Sequence, residues 1–207
     1  MHYHTVKELV RSLAARNCLP THWPKPDVID LTVGPAKAPS LMLSKLDRGI
    51  ELHDALDRRN RGEWIDAEYW PFARTIRSWL DGFGPERILT NWDVTRPDLH
   101  GQPDYFIIGG SLNRRGVIEV KVVGGDLPLC PRAKDLLQLA MYPVADDGAY
   151  DDFFGALAYI GFERGEIRLF VWKSLASCCH DASARLRWFE KHSYRRRYRH
   201  WPVRRAA

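Results

Sequence analysis

Residues 103–125 read PDYFIIGGSLNRRGVIEVKVVGG, and this stretch decides the fold. Tyr105 to Ile108 and Val117 to Val123 are short runs of β-branched and aromatic residues, the composition of strands. Between them GGSLNRRG is turn chemistry, so the two runs predict a hairpin that lays one strand beside the other. Three polar residues interrupt it: Asp104 directly after Pro103, and Glu119 and Lys121 among the valines. Side chains alternate along a strand, which places Glu119 and Lys121 on one face and Val120 and Val122 on the other. Two carboxylates and an ammonium are therefore expected to converge at one sheet edge.

The flanks carry helical and strand patterns in turn. RILTNWDVT (87–95) predicts a strand before the hairpin. After Gly124-Gly125 the sequence predicts a helix from Ala133 to Val144. Two strands follow, FGALAYIGF and EIRLFVWK, joined by a tight turn at Glu163 to Glu166, and a last helix begins at Ser174. Upstream, TVKELVRSLAAR (5–16) predicts a short amphipathic helix with Thr5 as its N-cap. Pro20 to Pro39 holds five of the thirteen prolines and reads as a connector with one short strand, VIDLTV. Leu43, Leu46, Ile50, His53 and Leu56 recur at helical spacing over Ser40 to Asn60. Pro71 to Leu80 predicts another helix with proline in its first turn. The order predicts an α/β fold, a sheet flanked by helices on both faces. It divides into an N-terminal helix and connector (1–40), a core (41–184) and a basic C-terminal helix or tail (185–207). Trp64, Trp70 and Trp79 are expected as core or lid residues, and Trp188 and Phe189 as the docking face of the last helix.

With 207 residues, 45% of them hydrophobic, the chain reads as one domain with a real core, which excludes wholesale disorder. The longest nearly uncharged apolar stretch, Phe153 to Phe162, is too short to span a bilayer, and no secretory signal is visible. A soluble, cytoplasmic protein is expected. The net charge of +5 conceals two opposed parts: residues 185–207 carry nine Lys/Arg against the single acid Glu190, whereas residues 1–184 carry 22 basic and 25 acidic groups. Such asymmetry suggests a polyanionic partner gripped at one end. In the tail, aromatics alternate with Arg195, Arg196, Arg197 and Arg199, which suit phosphate contact. Cys18, Cys130, Cys178 and Cys179 fit neither a disulfide framework nor a zinc site and read as reduced, mostly buried thiols.

Asp104, Glu119 and Lys121 suit hard divalent chemistry. Mg²⁺ takes carboxylate oxygens with water and phosphate, and a lysine beside it can orient water or neutralise charge gathering on a phosphate. The same residues also fit an ion pair on a solvated sheet face, with Asp104 a turn former after proline. Gln138 and Tyr142, four apart, share one helix face, with Leu136, Leu139 and Ala140 as the packing face. They fit contact with the metal site or substrate, and equally an amphipathic helix with a boundary tyrosine.

Taken in order, Gly49-Ile50-Glu51-Leu52-His53, Pro103-Asp104, Glu119-Val120-Lys121 and Gln138-x-x-x-Tyr142 resemble the PD-(D/E)XK nucleases. Within them the closer likeness is to the RecB-type branch, which includes CRISPR-associated adaptation nucleases and helicase-linked exonucleases. The likeness spans roughly residues 45–175. It implies a restriction-endonuclease-like α/β/α sandwich around a central mixed sheet, and a DNA nuclease, more exo- than endonucleolytic, that uses Mg²⁺ or Mn²⁺. By resemblance Asp104, Glu119, His53 and the Val120 carbonyl are the metal ligands, Lys121 is the catalytic lysine, and Gln138 and Tyr142 support metal and substrate. His53 as a ligand tilts the preference toward Mn²⁺; it also fits a helix residue at the core boundary. Glu51, two residues from His53, should point elsewhere. Many RecB-type relatives hold an iron–sulfur cluster; the cysteine spacing here departs from theirs, and no cluster is expected. The implied partners are DNA, single-stranded or at duplex ends, and a helicase or recombination/adaptation protein, since no Gly-x-x-x-x-Gly-Lys loop is present. Two rivals stand beside this reading: a non-catalytic nucleic-acid-binding module, and a restriction-type or toxin endonuclease.

Overall fold

The computed structural model describes residues 4–33, 45–109, 115–146 and 152–198, with side chains described for all of these but 4, 45, 46 and 193–198. Strands β1 (His4–Thr5), β2 (Asp27–Thr32), β3 (Arg87–Leu89), β4 (Val94–Arg96), β5 (Leu99–Gly101), β6 (Tyr105–Ile108), β7 (Arg115–Val123), β8 (Phe153–Gly161) and β9 (Glu166–Trp172) alternate with five helices. These are α1 (Val6–Ala14), α2 (Lys45–Asn60), α3 (Trp70–Asp81), α4 (Ala133–Ala145) and α5 (Ala176–Tyr198). The protein is a mixed α/β structure built on a six-stranded sheet of order β2-β9-β8-β7-β6-β3. Only the β7–β8 pair is parallel among these neighbours. A parallel pair needs a long crossover, and α4 lies within it.

The sheet divides two cores. Val117, Val123, Leu157, Phe153 and Phe170 pack with α1, α4 and α5. Ile118, Val120, Ala156, Ala158 and Leu169 pack with α2 and α3. Every residue of β8 is buried, as a strand covered on both faces must be. Each fully buried Leu, Ile or Phe contributes about 1.5–3 kcal/mol, so the alternation in β7 that fills both cores also fixes its register. A one-residue slip would drive Glu119 and Lys121 into the α2–α3 core.

β6 pairs with β7 only as far as Tyr105 opposite Ile118, whereas β7 continues beside β8 to Val123. Residues 119–123 of β7 thus outlast β6, and this step in the sheet creates the open edge at which Asp104 stands. A second, three-stranded sheet of order β1-β5-β4 lies beside it. β1 runs directly into α1, whose N-cap Thr5 forms a reciprocal capping box with Glu8.

The expected helices and strands form, with four differences. RILTNWDVT is split into β3 and β4 by a turn in which Asn91 adopts a left-handed φ of 53°, and the small sheet was not expected. Ile50, read as part of the apolar face of α2, is 61% exposed; Leu52, Ala55 and Leu56 are buried in its place. Of the tryptophans expected as core or lid residues, Trp79 packs partly buried against the α2–α3 core, whereas Trp64 and Trp70 are exposed and outside it, Trp70 with the Arg59 guanidinium over its ring. Of the last helix's pair, Phe189 docks and Trp188 stays exposed, stacked on His192. Cys178 and Cys179 are buried, Cys18 is partly buried, and Cys130 is exposed. The first residues of the helix predicted from Ser40, including Leu43, and the hairpin loop 110–114 lie outside the described residues. Among the described residues, no helix is long and apolar enough to cross a membrane.

Candidate active site

Four separate segments deliver six of the predicted residues, His53, Asp104, Glu119, Val120, Lys121 and Tyr142, to the lining of one cleft of about 1270 Å³, which Gln138 does not reach. Asp104 precedes β6, where the sheet steps back. Its Oδ2 accepts the Val120 backbone N–H at 2.6 Å, and its Oδ1 lies 3.1 Å from His53 Nδ1 on α2. The N–H and C=O of one strand residue point to the same edge, so the Val120 carbonyl also faces away from β8 toward the side of Asp104. Burial acts against a charge on His53, but the hydrogen bond and negative charge of Asp104 outweigh it and hold the imidazole above its ordinary pKa.

On the other face of β7, Glu119 is almost wholly buried, at 1% exposure. Its Oε1 accepts Lys121 Nζ and Gln138 Nε2, both at 2.6 Å, and its Oε2 accepts Tyr142 Oη at 2.9 Å. Gln138 Nε2 also donates to Tyr142 Oη at 2.7 Å, and Gln138 Oε1 accepts Lys121 Nζ at 3.1 Å. Only this amide orientation serves both neighbours, since the reverse would set its carbonyl against the Glu119 carboxylate. The four-residue spacing read on α4 thus aims both side chains at β7. The helix itself is buried from Asp135 to Ala145, rather than amphipathic.

The electrostatics leave room for a cation. Burial, and next the negative charge of Asp104, push the Glu119 carboxyl above the ordinary carboxylate range, against the pull of Lys121. Lys121 stays charged: burial opposes it, but Glu119 and Asp104 raise its pKa. Two carboxylates that repel, with an imidazole and a backbone carbonyl beside them, form an oxygen-and-nitrogen donor set suited to Mg²⁺ or Mn²⁺. Among the described residues, however, no three His, Cys, Asp or Glu side chains are grouped so that they could hold a metal ion: Asp104 is engaged by His53 and Val120, and Glu119 by Lys121, Gln138 and Tyr142.

Glu51 points away from the cleft and accepts the Tyr69 hydroxyl. Arg195, Arg196 and Arg197 continue the backbone of α5, their side chains lying outside the described residues, as does all of Arg199. The cleft lining also holds Lys7, His100 and Gln102, which the sequence reading did not single out. Lys7 follows Thr5 in a capping-box sequence, a signal for the first helical turn but not for what that turn faces.

No family model matches the chain, and no curated protein sequence matches it. Among solved structures it is similar to the crystal structure of SSO0001, at 17% identity over 87% of this chain and 84% of that one, with a TM-score of 0.31. This distant likeness assigns neither family nor function.

Proposed function

We propose that the chain is a metal-dependent deoxyribonuclease of the PD-(D/E)XK class, RecB-type branch, with a restriction-endonuclease-like sandwich fold. The observation that carries this reading is the meeting of His53, Asp104, Glu119, Lys121 and Tyr142 in one cleft, from segments far apart in sequence. A surface ion pair, the bland alternative, has no use for a carboxylate at 1% exposure held by three donors.

Asp104, Glu119, the Val120 carbonyl and His53 would hold Mg²⁺ or Mn²⁺. Bound there, the ion would polarise a phosphodiester and lower the pKa of an attacking water. Lys121, kept charged by Glu119, meets the negative charge that gathers on the phosphate. Gln138 and Tyr142 fix the Glu119 carboxylate in one rotamer. Asp104 anchors to β7 through the Val120 N–H. Exonucleolytic action on DNA ends, with a separate helicase or recombination protein as partner, extends the same resemblance.

Incubation of the purified protein with linear, circular and single-stranded DNA, in Mg²⁺, Mn²⁺ or EDTA, tests the reading. Cleavage that needs metal and disappears in Asp104→Ala, Glu119→Ala and Lys121→Ala is the expected result. No metal-dependent cleavage of any form would leave a nucleic-acid-binding module. Discrete fragments from closed circular duplex would mark a restriction-type endonuclease.

A further inference from the structure

The charge of the cleft is opposite to what a polyanion needs. Among the described residues, Asp54, Asp57, Asp93, Asp104 and Glu119 line it, against two lysines and no arginine. Lys121 is committed to Glu119 and Gln138. The other lysine, Lys7, stands in the first turn of α1, solvent-exposed, and forms no ion pair or hydrogen bond among the described residues. Two features hold it in place. The Thr5–Glu8 capping box fixes the turn that carries it. Gly101 on β5, lacking a side chain, lets Val6 pack where a Cβ would come within 2.8 Å of Val6 Cγ2.

We propose that Lys7 is a substrate-binding residue that grips a backbone phosphate of the polynucleotide on the side of the cleft built by α1. The inference rests on the nuclease reading and adds to it a contact outside the metal and lysine machinery. An exposed ammonium on a flexible stem suits a phosphate as a point charge, and each such contact adds to the salt dependence of binding.

The test compares the parent protein with Lys7→Gln and Lys7→Arg, using a fluorescently labelled oligonucleotide in single-stranded and duplex form. For Lys7→Gln, KM should rise about 5- to 10-fold with kcat within about twofold, as loss of one charged contact predicts. The slope of log affinity against log salt, measured by anisotropy, should shrink by about 0.7–0.9. Lys7→Arg should restore both. Unchanged KM and salt slope in Lys7→Gln, or a loss confined to kcat, would overturn the role of Lys7. If the parent cleaves nothing in Mg²⁺ or Mn²⁺, the nuclease reading fails by itself, and the salt slope still decides on Lys7: a reduced slope sustains the phosphate contact, and an unchanged slope or no DNA binding overturns it.

Discussion

Val120 donates its backbone N–H to Asp104 at 2.6 Å, so the carboxylate proposed to hold metal is tied to the strand that carries Glu119 and Lys121. The bond serves the fold as well as the site, because β6 ends before it could pair with residue 120. The two roles separate by substitution. In Asp104→Asn the amide oxygen still accepts from Val120 and the amide N–H can donate to His53, so the melting temperature should stay within about 2 °C of the parent, a shift equivalent to less than about 1 kcal/mol. The charge is gone, and metal-dependent cleavage should fall at least about 10³-fold, some 4 kcal/mol of transition-state stabilisation. Calorimetry and a cleavage assay on the same preparation check both.

Glu119 gives a sharper contrast. Removing its side chain leaves the Lys121 ammonium with only the Gln138 carbonyl and no counter-charge, and Gln138 and Tyr142 each with an unmet donor hydrogen. Loss of one member of such a buried pair costs about 3–5 kcal/mol, and Glu119→Ala should melt roughly 6–20 °C lower. Glu119→Gln keeps the shape and an accepting oxygen for Lys121, and it relieves the repulsion from Asp104. Its stability should lie within about 1 kcal/mol of the parent, with cleavage as fully lost as in the alanine variant. Equal melting points for the two variants would contradict the network.

Most of this site was legible because its parts obey local periods. Alternation in β7 places Glu119 and Lys121 together, and a four-residue step on α4 does the same for Gln138 and Tyr142. What escaped has no local period. β1, β4 and β5 are two or three residues each, too short for alternation to register, and their pairing depends on where α1 docks. Lys7 looks like any surface residue of an amphipathic helix until that docking is known. Ile50 fits the apolar spacing of α2, yet the cleft takes the surface that would have buried it. Trp64 and Trp70 mislead because tryptophan is more often inside, and only the tertiary packing of α2 against α3 shows that the core there is already filled by Leu52, Phe72 and Ile76.

Gly101 joins the small sheet to the site. A Cβ there would lie 2.8 Å from Val6 Cγ2 and 3.0 Å from Tyr142 Cε1, both tighter than packed carbon atoms allow. Gly101→Ala must therefore shift the Val6 side chain, with α1 behind it, and press on the Tyr142 ring. Overpacking of this kind typically costs about 1–3 kcal/mol. Displacement of Tyr142 loosens its bond to Glu119, so cleavage should fall about 10-fold or more although position 101 bears no catalytic group. Adding Val6→Ala should recover part of the activity by making room. Full activity in Gly101→Ala alone would show that the ring position is not critical.

A second pair of acids predicts a pH dependence away from the cleft. Glu190 on α5 shares a hydrogen bond with Asp98, in the turn between β4 and β5, with Arg96 2.7 Å from Asp98. Burial, then the bond and charge of Asp98, raise Glu190 to about 7. Burial pushes Asp98 up as well, but the Glu190 hydrogen bond and the Arg96 charge outweigh it and hold Asp98 below its ordinary value. The folded state thus keeps one proton on the pair that the unfolded chain releases near pH 4.5. A raised acid stabilises fully below its unfolded pKa and loses that contribution as pH rises through the folded one. The clamp between the β4–β5 turn and α5 should therefore weaken from about pH 4.5 to about 7. The opposite contribution of Asp98 is lost only below its unfolded value of 3.8. Glu190→Gln, which keeps a donor for Asp98 at every pH, should gain melting temperature relative to the parent as pH climbs from 5 to 8, with the two nearest each other at pH 5. A parallel pair of melting curves across that range would rule out the shared proton.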